Sequence, residues 1–305
     1  EMFNIGIDAS FFNGKLNLEA DWFYKKTNDI LRERTDMPAI LGYKLPAANV
    51  GKVDNRGIDL NITHRNHLRD FNYSIAGNLT WARNKVIDLL EPAGEKNNPR
   101  QRSTGHSMSQ YFGYEALGLF QSDEEANNWP QPQFGKAKAG DIKYKDQNGD
   151  GIIDAEDEIA IGRSNYPELV YGLNLNAEWK GFDITFFFQG AALADFYYNG
   201  YLAFPYIEGR GGALLEHHIG NTWTPENPKA EFPRLYYGGN ANNQLFSSFW
   251  MRNGSYLRLK NVEIGYTYKV ARLFISGQNL LTFSPFKHWD PELGGGKGLT
   301  YPNLR

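Results

Sequence analysis

Residues 146–157 carry the sharpest chemical spacing in the chain: Asp146-Gln147-Asn148-Gly149-Asp150-Gly151-Ile152-Ile153-Asp154-Ala155-Glu156-Asp157. Oxygen donors recur at positions one, three, five, nine and twelve, with glycine at six. That spacing wraps a chain around Ca²⁺, which takes six to eight oxygen ligands. The expected ligands are Asp146, Asn148, Asp150, the Ile152 carbonyl, Asp154 and Asp157. Gly151 supplies the sharp turn, and Ile153 is expected to tuck inward as an apolar anchor. Asp157 is shorter than the usual Glu at position twelve, which weakens bidentate ligation and leaves the adjacent Glu156 as an alternative donor. No helix pair flanks the loop, so a bound ion would brace it and trigger nothing. The competing reading is a plain acidic turn.

Other chemistry-bearing residues have weaker spacing. His217 and His218 are adjacent and expected to point apart, as exposed loop histidines rather than a metal pair. Trp129, Trp223, Trp250 and Trp289 suit anchors of loop packing more than platforms for sugar rings. No Walker loop and no G-x-S-x-G elbow occurs, and no pair of acids is spaced to single out a glycosidase. Asn61-Ile-Thr, Asn78-Leu-Thr and Asn253-Gly-Ser match the glycosylation triplet, which is frequent by chance. The absence of cysteine excludes a disulfide framework and thiolate catalysis.

These residues need elements to hold them, and the elements are read from alternation. Phe3, Ile5 and Ile7 alternate with Asn4, Gly6 and Asp8; Leu16, Leu18, Ala20, Trp22 and Tyr24 alternate with polar neighbours. Side chains on a strand point to opposite faces with period two, so each segment is a ribbon with one apolar and one polar side. The segments run to about ten residues, longer than an average soluble strand and matched to a tilted bilayer crossing. Strands are predicted near 3–12, 15–26, 53–64, 71–82, 169–179, 182–189, 255–268 and 272–283, with a weaker one over 111–120. Asn13-Gly14 and Lys180-Gly181 read as hairpin turns. Residues 27–50, 83–110, 121–168 and 190–247 read as loops. Short turns on one side and long loops on the other is the asymmetry of outer-membrane barrels.

Composition agrees. The 305 residues include 18 Tyr, 20 Phe, 7 Trp and 32 Gly, and aromatics favour sites that are dry at one end and wet at the other. The net charge of -3 gives no footprint for nucleic acid. No apolar run reaches the length of a transmembrane helix. A mean hydropathy of -0.56 remains compatible with a barrel, whose lumen and outer loops are polar. Periodicity alone also fits a soluble antiparallel sandwich. Glu1 sits just before a strand, and Arg305 ends the chain without a visible finishing element, so the expectation is of a fragment.

Several segments together resemble the SusC/RagA family of TonB-dependent outer-membrane transporters. They are Asn49-Val-Gly-Lys-Val-Asp-Asn-Arg-Gly-Ile-Asp-Leu60, Gly140-Asp-Ile-Lys-Tyr-Lys-Asp-Gln-Asn-Gly-Asp-Gly-Ile-Ile-Asp154 with Ile161-Gly162, and Lys180-Gly-Phe-Asp-Ile-Thr-Phe-Phe-Phe-Gln-Gly190. Trp223-Thr-Pro-Glu-Asn-Pro228 with Phe232-Pro-Arg-Leu235, Ser255-Tyr-Leu-Arg-Leu-Lys-Asn261 and Ser276-Gly-Gln-Asn-Leu280 continue the match in order.

The resemblance implies an all-β fold: the C-terminal portion, about ten strands, of an antiparallel transmembrane β-barrel of roughly 22 strands. Residues 1–305 would form one barrel domain without its plug, and 121–168 a loop excursion holding the calcium-type loop. It implies import of a nutrient, an oligosaccharide ahead of a peptide, across the outer membrane of a Gram-negative bacterium. The implied partners are a SusD-like surface lipoprotein, the TonB complex acting through the absent N-terminal part, and outer-membrane lipid. No catalysis is implied. Ligand contacts are expected within 190–247 and 284–300, with no residue assigned. Three departures stand out: no plug or TonB box, an end at Tyr301-Pro302 before a closing strand, and a short Tyr268–Arg272 connection where residues are expected to be missing. An incomplete sheet has raw edges that lipid cannot satisfy, so this piece is not expected to insert alone. The rival readings are a soluble secreted carbohydrate-binding β-protein with a structural calcium and a secreted glycosidase on a β-scaffold.

Overall fold

Eight alternating segments pair into one antiparallel sheet, each strand beside its neighbour in sequence. They are β1 (Met2–Phe11), β2 (Leu16–Arg32), β3 (Ala48–Leu68), β4 (Phe71–Asp88), β5 (Leu169–Trp179), β6 (Phe182–Ala192), β7 (Tyr256–Tyr268) and β8 (Ala271–Phe283). The computed structural model describes residues 1–32, 46–89, 91, 100, 102–200, 203–206 and 214–293. Among them no helix is long and apolar enough to cross a membrane, which says nothing about crossing by strands.

Register turns alternation into rows. One row runs Ala9, Leu18, Ile62, Gly77, Leu173, Phe188, Leu259 and Leu281 across all eight strands. The adjacent row, on the opposite face, runs Asp8, Glu19, Asn61, Asn78, Gly172, Gln189, Arg258 and Thr282. The apolar face is not covered by protein: Ile7 is 62% exposed and Ile275 83%. A soluble sandwich would bury that face against a second sheet. Here it is the wall of a barrel, apolar outside and polar toward the lumen.

Aromatics bound the apolar face at both ends. At the turn end Phe71, Trp179, Phe182 and Tyr266 form a cross-strand series. At the loop end Trp22 and Trp81 flank Ile58, and Trp22 packs against Phe3 and Tyr24. Phe71 and Trp81 lie ten positions apart on β4 (81 − 71). At about 3.3 Å per residue and a tilt of about 40°, that is a height of about 25 Å, the apolar band of an outer-membrane barrel.

The connections separate by length. At one end the wall turns through Phe12–Lys15, Arg69-Asp70, Lys180-Gly181 and Lys269-Val270. Lys180 (φ 47°) and Gly181 (φ 87°) both occupy the left-handed region, as a type I′ turn requires. The predicted two-residue turn at Asn13-Gly14 is instead a four-residue loop, because Phe11 pairs with Leu16. Lys269-Val270 joins paired Tyr268 and Ala271 as a two-residue turn.

Strands outrun the prediction: β2 reaches Arg32, β3 begins at Ala48 and β4 ends at Asp88. Above the lipid band both faces of a strand meet water or loop, so hydrophobic alternation stops before the hydrogen-bonded ladder does. The predicted loop at 27–50 shrinks accordingly, and its residues 33–45 lie outside the described residues. The weak strand at 111–120 is two short strands, Tyr111–Gly113 and Ala116–Leu119, paired with Ile159–Ile161 and Ile142–Tyr144. The main sheet holds eight strands among the described residues, against about ten expected.

The long connections pack on each other as a cap. Trp250, Tyr144, Tyr198, Phe232, Ile142 and Ile153 are fully buried, and none belongs to the wall. Phe286 and Trp289, from the segment after β8, join the same cluster.

In the full-length protein, Ile62→Lys on the outer face is expected to destabilise by about 2–4 kcal/mol. Asn61→Lys, one residue away on the lumen face, is expected to change stability little. Denaturant unfolding in lipid checks both.

Candidate functional site

The loop at 146–157 is ordered by its own side chains. Asp146 accepts from the Gly149 and Gly151 amides at 2.6 and 2.9 Å, Asp150 from Ile152 N at 2.8 Å, and Asp154 from Glu156 N at 2.8 Å. Gly149 and Gly151 adopt positive φ, so the chain turns sharply at both. Ile153 is 1% exposed and belongs to the cap core, as the sequence predicts. Asp157 is fully buried and accepts from Gln147 N at 2.7 Å and Asp154 N at 3.0 Å, which closes the loop on itself. Glu156 Oε2 hangs 3.4 Å from Asn148 Nδ2. Among the described residues no three His, Cys, Asp or Glu side chains gather as a metal cluster. The donors available at the loop are therefore single carboxylates, the Asn148 amide and the Ile152 carbonyl.

The cap is held by a group that the loop spacing did not single out. Asp141 is fully buried, and its carboxylate accepts from Arg234 Nε at 2.8 Å, Asn243 Nδ2 at 2.9 Å, Asn240 Nδ2 at 3.0 Å and Lys138 N at 2.9 Å. Asn243 and Asn242 bond the backbone of Ile142, and Trp250 Nε1 donates to Asn243 O. Arg234 N donates to Gly140 O, and a side chain at Gly140 would collide with the Trp223 ring. Three motifs, around Asp141, Trp223 and Arg234, thus meet at one point. The only sequence signal was an acid flanked by residues destined for burial, Ile142 and Tyr144.

The histidines correct the expectation. His218 is fully buried and His217 half-buried, with ring centroids 4.1 Å apart. A 3-10 turn at Glu216–His218 folds both inward against Phe232. His217 Nε2 lies 3.0 Å from Tyr198 Oη, and Arg252 sits 5.1 Å over the Tyr198 ring. Burial pushes the Tyr198 phenol up. Glu231 is held below the usual carboxylate range by His288 and then by Arg252. The tryptophans behave as predicted: Trp223, Trp250 and Trp289 are buried, and Trp129 packs on Phe120. At the short helix Asp123–Asn127, Glu125 is held low by the Gln121 amide and by Lys143 at 2.7 Å.

The cap is also tied to the wall. Arg258 on the lumen row of β7 is 4% exposed and binds Asp290, Glu292 Oε2 at 2.6 Å and Thr282 Oγ1 at 3.1 Å. Lower on the same face Arg272 joins Asp183 to Glu263. A lumen groove of about 760 Å³ runs beside them, lined by Asn72, Asn176, Glu178 and Asp183 among others. Polar residues make up most of its lining, with Ala177, Trp179, Phe182 and Ile184 as its apolar members.

A family model described as "TonB dependent receptor-like, beta-barrel" matches residues 2–280. The chain belongs to that family.

TonB-dependent receptors are outer-membrane transporters and not enzymes, which removes the soluble-binder and glycosidase readings, as the uncovered apolar face does on physical grounds. A TonB-dependent receptor of Formosa agariphila is 32% identical over 95% of this chain and 30% of its own length. The TonB-dependent receptor SusC of Bacteroides thetaiotaomicron is 25% identical over 96% of this chain and 29% of its own length. The structure titled RagAB peptide transporter superposes with a TM-score of 0.72 at 24% identity, over 96% of this chain and 33% of that one. At that identity the likeness concerns the fold. The chain spans about a third of the length of these relatives.

Asp141→Ala leaves Arg234 and two amides facing a void, and is expected to cost about 3–5 kcal/mol of cap stability. Hydrogen exchange on the full-length protein is expected to speed up across 138–144 and 240–250 while the wall amides stay protected.

Proposed function

We propose that the chain is the C-terminal wall and cap of a TonB-dependent importer that captures an oligosaccharide at its outer mouth. Support for transport comes from one observation: outward apolar rows and inward polar rows on a single sheet whose long connections all leave at one end. A SusD-like lipoprotein over that mouth, and the TonB complex acting through a part of the protein outside this chain, complete the reading by analogy with SusC. A peptide is the second reading, favoured by the likeness to a structure titled as a peptide transporter.

For oligosaccharide the supporting feature is exposed aromatic surface on the cap, within the predicted 190–247 stretch. Tyr237 is 89% exposed and Tyr236 48%, with Tyr206 beside Tyr237 at 6.2 Å between ring centroids. Arg234 sits 5.1 Å over the Tyr236 ring, so the buried Asp141 hub fixes the platform from below. Flat exposed rings suit the apolar faces of sugars. Residues 294–300 of the other predicted stretch lie outside the described residues.

Tyr237→Ala in the full-length transporter is expected to weaken oligosaccharide binding roughly three- to tenfold by calorimetry, with folding unchanged. Binding of a peptide library, with glycans silent, would transfer the reading to peptides.

The loop at 146–157 is proposed to hold Ca²⁺ through Asp146, Asn148, Asp150, the Ile152 carbonyl and Asp154. Asp157, whose carboxylate accepts from Gln147 N and Asp154 N, would complete the ligand set at position twelve, with Glu156 as the alternative carboxylate. The ion would brace the cap and carry no step of transport. Ca²⁺ is expected to raise the melting temperature of the full-length protein over a chelator control, and Asp150→Asn to remove the increment. Equal melting with and without Ca²⁺ would refute the assignment.

A further inference from the structure

The outer face of β2–β4 changes character within one step of the ladder. The last apolar row there is Ile5, Trp22, Ile58 and Trp81. The next outward-facing row is Phe3, Tyr24, Arg56 and Arg83, and the one beyond it Lys26, Asp54 and Lys85. Successive outward residues on a strand lie two apart, so these rows share the lipid-side face with the aromatics below them. Strand pairing, not loop placement, puts the cations side by side.

Tyr24, Asp54, Arg56, Arg83 and Lys85 line a groove of about 380 Å³, whose far wall is Gly105, His106, Ser107 and Gln110 from the long connection after β4. That wall is fixed: Val86 N donates to His106 O, Gly105 N to Val86 O, and Gln110 Nε2 to Ile161 O. Asp54 accepts from Tyr24 Oη at 2.5 Å, and Glu168 pairs with Arg83 at 3.3 Å. Against those two acids stand the three cations that line the groove, Arg56, Arg83 and Lys85, a local balance of +3 − 2 = +1. Lys26 lies outside the lining, paired in the ladder with Glu1. The Arg83 side chain is 58% exposed, so its pairing with Glu168 leaves most of the guanidinium open to the outside.

The position decides what such a groove meets. It lies at the loop end, directly above the Trp22, Tyr24 and Trp81 girdle, and the girdle marks where acyl chains end and headgroups begin. An anion at that depth, outside the barrel, belongs to a lipid. Two guanidiniums paired across neighbouring strands, with a lysine beside them, match the several oxygens of a phosphate group.

We propose that Arg56, Arg83 and Lys85 form a binding site for the phosphate of an outer-leaflet lipid headgroup. The site lies on the opposite face of the wall from the lumen, and the inference is independent of the cargo. It gives β2–β4 a fixed depth and a bound annular lipid.

The test uses the purified full-length transporter in bicelles that carry either diphosphoryl lipid A or its dephosphorylated form. The parent is expected to prefer the phosphorylated lipid by about tenfold or more, by native mass spectrometry or fluorescence displacement. Arg56→Gln with Lys85→Gln is expected to remove most of that preference at unchanged melting temperature and cargo binding. Arg56→Lys keeps the charge and is expected to retain a measurable preference, which serves if the double variant folds poorly. Equal preference in parent and double variant overturns the proposal. Displacement of the lipid by millimolar inorganic phosphate also overturns it, and would assign the groove to a free anion.

Discussion

Backbone amides in hydrocarbon have no water to turn to, and every other feature of the wall follows from that constraint. Each of β2–β7 is paired on both sides over its lipid-facing length, so its N–H and C=O groups are spent within the sheet. Once the ladder is fixed, side chains have only two directions, and the solvent on each side selects their type. The glycines of the lumen face show how tightly the ladder constrains its surface. At Gly57 an added side chain would strike the Phe23 ring, and at Gly172 the Asn78 amide. On the outer face the Tyr171 ring lies over Gly190 and donates to Tyr256 O, filling the space a side chain would take.

The same constraint explains where the chain keeps its dry interior. A wall bathed in lipid on one face and lumen on the other has little to bury against itself. The core of buried aromatics therefore sits in the cap, where Tyr198, Phe232, Trp250, Phe286 and Trp289 meet. A cap this rich in rings needs orientation as well as burial, and Asp141 provides it. Four donors from three stretches of chain converge on one buried carboxylate. The buried pair is costly to desolvate, and its value lies in specifying one arrangement of long loops. Arg258 then passes that arrangement to the wall through Asp290 and Glu292.

Different parts of the molecule were legible to different degrees, for physical reasons. The wall was readable because period two survives any tertiary context: Leu169–Trp179 and Phe182–Ala192 lie within a few residues of their predicted limits. Strand ends near Arg32, Ala48 and Asp88 were not readable, because the ladder there continues between two wet faces. The Asn13-Gly14 turn was placed correctly but assigned the wrong length, since Phe12 also takes positive φ (54°), which propensity does not anticipate. His217 and His218 were read as exposed from their adjacency, whereas a 3-10 turn packs both against Phe232.

What the sequence by itself determined is which side chains share a face, the approximate span of each alternating segment and the end from which the loops emerge. All three are local consequences of alternation, strand length and turn residues. Only the tertiary structure decided that Asp141, distant in sequence from Asn240 and Asn243, would be the buried hub of the cap. It alone set Arg56 beside Arg83. Register and loop packing are non-local: they depend on which strand lies beside which, and no residue type or spacing within a single segment encodes that.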